Sequence, residues 1–130
     1  MEQHESPDDR AMELLRHVLP ETQWAQFTET GILEVSGCRG IYRIYAVDLT
    51  HILDAQTRRP INSACLQLSV PAPVHDRIIT EYVLIRNDED RYWRMANIFP
   101  AGLDNLRFAV VLTALLDLML LTMFFVQLGG

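Results

Sequence analysis

Lysine is absent from this chain, and all eleven basic residues are Arg. That bias follows genomic base composition as readily as function, and it identifies no mechanism. Basic charge is scarce as well: residues 1–100 carry ten Arg against fifteen Asp or Glu, and residues 101–130 carry one Arg against two Asp. A nucleic-acid binder neutralises phosphates with a basic patch, and the densest cluster here is Arg58-Arg59, so nucleic acid is excluded as a partner. Cysteine is limited to Cys38 and Cys65, too few for a secreted disulfide framework, and the opening MEQHESPDDR has no apolar signal-peptide core. The expected location is therefore the cytosol, with both thiols reduced. A glycine-rich phosphate loop, a Ser nucleophile elbow and a His-Glu-x-x-His zinc pattern are all missing. Enzymatic activity has little support, and no cofactor is expected.

What the chain does have is one long apolar run. Phe108 to Leu128 reads FAVVLTALLDLMLLTMFFVQL, with Asp117 the single ionisable residue in twenty-one positions. At ~1.5 Å per residue such a helix covers about 31 Å, enough for the ~30 Å hydrocarbon layer of a bilayer. A surface helix of a globular domain would leave a polar stripe at helical spacing. Here the polar side chains are Thr113, Asp117, Thr122 and Gln127; Thr113 and Asp117 share a face, being four apart, and the other two fall off it. A central Asp costs roughly 2.5–3.5 kcal/mol on an insertion scale, which the Leu, Val and Phe residues outweigh at about 0.3–0.6 each. The run is expected to be a transmembrane helix. Arg86, Arg91, Arg94 and Arg107 all precede it, so the positive-inside tendency keeps the domain on the cytoplasmic face of the cell (inner) membrane. The topology expected is single-pass and tail-anchored.

Before the run, the pattern predicts a small α+β domain over 1–100, followed by a hinge at 101–107 and the membrane helix at 108–128. Met1 to Glu5 is polar and expected to fray. Ser6-Pro7-Asp8-Asp9 starts a helix, with a cap, a first-turn Pro and two acids at the positive end of the dipole. It runs to about Leu19 with Met12, Leu15 and Leu19 on one side, Leu14 and Val18 beside them, and Pro20 stops it. A second short helix carries Trp24 and Phe27 and ends at Gly31. Ile32 to Ser36 and Ile41 to Val47 alternate around the Gly37-Cys38-Arg39-Gly40 turn. His51 to Ala55 and Ile61 to Val70 add a second strand pair, making an antiparallel meander of about four strands. Val74 to Asn87 repeats at helical spacing through Ile78, Ile79, Tyr82, Val83 and Ile85, which predicts a helix over one face of the sheet. Asp88-Glu89-Asp90 opens a last short helix, Phe99 to Gly102 belongs to the hinge region, and Asp104 is placed to cap the membrane helix.

Trp24 and Phe27, Gly31 with Leu33-Glu34-Val35-Ser36-Gly37, Gly40, Tyr42-Arg43-Ile44, Cys65, Pro73 with Asp76, Leu84, Asp88-Glu89 and Ala96-Asn97 together resemble a run in a group of short bacterial proteins with no assigned activity. The resemblance covers roughly Leu14 to Asn97. Those proteins are similar in having a hairpin, a further strand pair, a Cys near the end of the sheet and a helix ending in Ala-Asn. Around Cys65 the chain departs from them, since they bring a Pro sooner. The resemblance implies a bacterial or phage origin and a compact domain, and it transfers no site residue.

The candidate residues are weighed against plainer roles. Cys38, His51, Cys65 and His75 are metal-ligand types, but their spacing lacks the close pairs of a zinc ribbon or finger. A turn position for Cys38 and a core position for Cys65 account for both. A Cys65–His75 nucleophile pair has no flanking signature. Asp88-Glu89-Asp90 could clamp a metal, although a charge run opening a helix is usually a solvated cap. Asp117 with Thr113 is the candidate for an intramembrane helix contact, either with another copy or with another membrane protein. The leading expectation is a membrane-anchored interaction or sensing module. The alternative is a soluble homo-oligomer that uses the last helix as its interface, with binding or Cys/His catalysis in the head. A toxin-like pore ranks last.

Overall fold

The computed structural model describes residues 5–129, and for 103–109 it describes the backbone alone. The fraying expected at Met1 to His4 and the cap expected from Asp104 lie outside the described residues. Five helices and five strands form among the described residues: α1 Pro7–Val18, α2 Glu21–Thr30, β1 Ile32–Gly37, β2 Gly40–Tyr45, β3 Thr50–Leu53, β4 Pro60–Cys65, α3 Val74–Asn87, α4 Glu89–Met95, β5 Asn97–Pro100 and α5 Leu103–Leu128. The chain divides into two compact units, Met1–Phe99 and Pro100–Gly130. The α+β class with a C-terminal apolar helix is the architecture that the sequence pattern predicts.

The first unit, the head, begins with a reciprocal cap. Ser6 Oγ accepts from the Asp9 amide at 3.1 Å while Asp9 Oδ2 accepts from the Ser6 amide at 3.1 Å, satisfying two donors that a helix start leaves open. The Ser6 hydroxyl also donates to Asp9 Oδ2 at 2.7 Å, and this bond, helped by that from the Ser6 amide, holds the Asp9 carboxyl below its ordinary range. α1 packs on α3 and buries Ala11, Leu15 and Leu19. Leu15 and Leu19 are buried as expected, but Ala11 takes the place expected of Met12, and Met12 and Leu14 are exposed. Small Ala11, one turn before Leu15, is the residue that fits the close helix contact. α2 ends as expected on Gly31, whose left-handed φ of 71° lets its amide donate to Phe27 O at 2.8 Å. From α2, Gln23 Nε2 donates to Glu34 O at 2.9 Å, covering a carbonyl of the edge strand β1.

The sheet is antiparallel through β1–β4, in the spatial order β1-β2-β3-β4-β5. Strand alternation sends Leu33, Val35, Tyr42, Ile44, Thr50, Ile52 and Ala64 into the core. The register Glu34↔Arg43↔His51↔Ser63 runs across the opposite face. Gly37 pairs with Gly40, leaving Cys38 and Arg39 as a two-residue turn. Gly40 has φ 148°, and a Cβ there would lie 2.3 Å from Leu53 O, so a side chain is excluded by both strain and space.

Two expectations for the sheet are corrected. The second strand pair is shorter than predicted: β4 ends at Cys65, with Leu66 still buried but Val70 exposed. A register shift at Ile52/Leu53 accompanies the turn at 54–59, where the Asp54 carboxylate accepts the amides of Gln56 and Thr57. The sheet has five strands rather than about four, because Asn97–Pro100, read in part as hinge, runs beside β4. Asn62 Nδ2 donates to Phe99 O at 3.2 Å, and an edge position tolerates Pro100.

In the second unit, α5 already starts at Leu103, inside the segment expected as hinge, and Gly102 stands at its N-cap with φ 83°. The helix closes with Gly129 N–H donating to Phe125 O at 3.1 Å.

Candidate functional site

The α5 segment Val110–Leu128 has a mean hydropathy of 2.1 over nineteen residues, and none of it is buried within the chain. It is long and apolar enough to cross a membrane. Its large side chains, from Val110 and Leu112 through Met119 to Phe125 and Leu128, are exposed on every side. Thr122 satisfies itself, its hydroxyl donating to Met119 O at 2.8 Å and Leu118 O at 3.2 Å. Thr113 and Asp117 stand one helical turn apart on one row. Asp117 is exposed and makes no hydrogen bond or ion pair with any described residue.

The four ligand-type residues of the head lie on three different elements and one turn. Cys38 is exposed in the β1–β2 turn, and Cys65 is half-buried at the end of β4. His51, on β3, packs its ring against Tyr45 at 5.0 Å. His75, in the first turn of α3, meets Phe27 edge-on at 6.3 Å, and its Nδ1 is buried without a hydrogen-bond partner. Among the described residues no group of three or more His, Cys, Asp or Glu is arranged to hold a metal. A cavity of about 260 Å³ is lined by Cys65, Arg77, Asp48 and Leu66, and His75 is not part of that lining.

The polar features that organise the head are two glutamates. Glu81 on α3 is fully buried. Its Oε1 accepts from Thr50 Oγ1 and from Tyr92 OH, each at 2.9 Å, and its Oε2 accepts from Arg77 Nη1 at 2.7 Å. Arg77 uses its other nitrogen on the carbonyls of Tyr45 at 2.6 Å and Ala46 at 3.2 Å. One carboxylate thus ties the end of β2, the start of β3, α3 and α4 together. Burial raises the Glu81 carboxyl above its ordinary 4.5, and Arg77 with the hydroxyls of Tyr92 and Thr50 opposes the rise. Burial, reinforced by Glu81, pushes the Tyr92 phenol up. With both oxygens occupied and the residue fully buried, the Glu81 carboxyl acts as a tie between these elements.

Glu89 forms the second tie. Oε2 accepts the Cys38 amide at 2.7 Å, and Oε1 accepts the Arg39 amide at 2.9 Å together with the Tyr42 hydroxyl. Trp93 Nε1 donates to the Tyr42 hydroxyl oxygen at 2.7 Å, Arg39 lies 4.7 Å over the Trp93 ring, and Arg39 Nη2 reaches Asp90 at 2.9 Å. Burial alone would raise the Glu89 carboxyl, but the hydrogen bonds from Tyr42, Arg39 and Cys38 win and hold it below its ordinary 4.5. A Cβ on Gly37 would fall 2.5 Å from Glu89 Oε1, so that glycine makes room for the carboxylate. In the Asp88-Glu89-Asp90 run, Asp88 is the helix cap, accepting from the Arg91 amide at 3.1 Å, while Glu89 turns onto the hairpin.

Sequence reasoning missed both ties. The signal for Glu81 was present, because it sits three residues after Ile78 and four before Ile85 on the face predicted to be apolar. For Glu89 no local signal existed, since its partners lie about fifty residues earlier. No protein-family model matches the chain, and no curated protein or solved structure is significantly similar to it.

Proposed function

We propose that this protein is a single-pass membrane protein whose α+β head is held at the cytoplasmic face of a cell membrane as an interaction or sensing module. The observation that carries the reading is the uncovered helix: nineteen residues of mean hydropathy 2.1, with no part buried against the rest of the chain. Apolar surface of that extent in water favours transfer to hydrocarbon, and a bilayer covers all sides of a helix at once. Arg86, Arg91, Arg94 and Arg107 precede the span, and this bias favours a cytoplasmic head. Anchoring raises the local concentration of the head at the membrane, so a weak contact with a cytosolic partner becomes effective. Glu81 and Glu89 are consumed in internal ties, which favours recognition by surface over catalysis.

Flotation on lipid vesicles with alkaline extraction tests the reading by comparing the full chain with residues 1–100. Retention of the full chain with lipid and release of the truncated chain is the expected result. If both stay soluble and differ only in assembled mass, the helix is a subunit interface and the membrane reading fails.

A further inference from the structure

We propose that α5 pairs with α5 of a second copy through the row that carries Thr113 and Asp117, an inference that rests on the membrane reading above. Asp117 lies seven residues from Val110 and eleven from Leu128, about 10 and 16 Å along the helix from the two ends of the apolar segment. A carboxyl on a single methylene cannot reach the interface over that distance, unlike the long stems of Lys or Arg. Within its own chain it meets no partner among the described residues. An acid at such depth is driven towards another polar group rather than towards lipid.

The row itself favours a second copy. A carboxyl group accepts through its oxygens and donates whenever it carries its proton, and a hydroxyl that donates within its own helix still accepts through its lone pairs. Two parallel copies bring these groups to the same depth, and two-fold symmetry turns each Asp117–Thr113 contact into a pair without requiring a cation from another protein. Thr113 and Ala114, one turn before Asp117, are short, so a neighbouring helix approaches the carboxyl closely there; the positions one turn after it, Leu120 and Leu121, are bulky. Thr122 lies outside the contact, because it stands five residues after Asp117 and falls off the row that Thr113 and Asp117 share.

Sedimentation equilibrium of the full chain in density-matched detergent micelles, paired with vesicle flotation of the same variants, tests the pairing. The wild type is expected to float and to sediment as a dimer. Asp117→Leu and Thr113→Val should each still float and dissociate about 8-fold more readily, because each removes the same two symmetry-related contacts of roughly one transmembrane hydrogen bond apiece. Asp117→Asn, which keeps donor and acceptor, should remain dimeric, and Thr122→Val should match the wild type. A wild-type monomer, a larger oligomer, a dimer indifferent to both Asp117→Leu and Thr113→Val, or an equal loss in Thr122→Val would each overturn the pairing while leaving the anchor intact. A wild type that fails to float overturns the anchor itself, and the pairing with it.

Discussion

In the head, every oxygen of Glu81 and Glu89 is met by a donor, and all of these donors except Arg77 come from another element. Along α5, Asp117 stands among exposed apolar side chains and meets no partner among the described residues. The same chemical group therefore plays opposite parts in the two units. Where the chain can fold around a carboxylate, the carboxylate becomes a local fastener. Where a single helix carries it, the carboxylate looks outward. The contrast follows from dimensionality: a sheet with helices on it offers neighbours from several elements, whereas an isolated helix offers only its own turns.

The contrast is broken most strongly at Glu81. Glu81→Ala should cost the head about 3–5 kcal/mol, because Arg77 is left without its anion and Tyr92 and Thr50 without an acceptor. Urea unfolding of the full chain in detergent, followed by Trp fluorescence, measures this, and vesicle flotation should be unaffected. The complementary change is Leu120→Arg, which adds a penalty of about 2.5–3.5 kcal/mol for a charge deep in the span. It should shift the protein towards the soluble fraction after alkaline extraction and leave the urea midpoint of the head in place.

A smaller effect separates the two ties by pH. The Glu81 carboxyl is raised on folding, so its contribution is complete below its ordinary 4.5 and is lost as pH rises through the folded value. The Glu89 carboxyl is lowered on folding, so its contribution is complete above 4.5 and is lost as pH falls through the folded value. Urea midpoints taken from pH 3 to 8 should therefore lose part of their acid-side fall in Glu89→Gln, and part of their decline above 4.5 in Glu81→Gln. Identical pH profiles in wild type and both variants would remove the assignment. The smallest effect is expected at Leu14, on the exposed side of α1. Leu14→Gln should move the midpoint by no more than about 0.5 kcal/mol, whereas Leu15→Ala, one residue further along, should cost about 2–5 kcal/mol.

Much of the architecture was legible residue by residue. Ser6-Pro7-Asp8-Asp9 announced α1 and Gly31 the end of α2, because caps are chemistry of adjacent residues. The Gly37–Gly40 turn and the alternation of Leu33, Val35, Tyr42 and Ile44 located the first hairpin for the same reason. The errors fall where a distant neighbour decides. Met12 and Ala11 are both compatible with an apolar stripe, and only the approach of α3 selects Ala11. Asn97–Pro100 has too short a pattern to declare a strand, and β4 with Asn62 supplies the pairing. Of the candidate site residues, Cys38, His51, Cys65 and His75 occupy separate places, and the cavity that holds Cys65 does not include His75.

By itself the sequence determined the features that depend on composition and short-range geometry: the caps, the hairpin, the α+β class and a run of apolar residues long enough to span a bilayer. Only the tertiary structure decided which acids are fasteners. Glu81 and Glu89 are ordinary glutamates in the primary sequence, and their roles arise when folding brings Thr50, Arg77 and Tyr92 to one and the Cys38-Arg39 turn to the other. Burial raises the cost of any unmet charge, so the donors that converge on it, rather than the residue itself, settle what the carboxylate does.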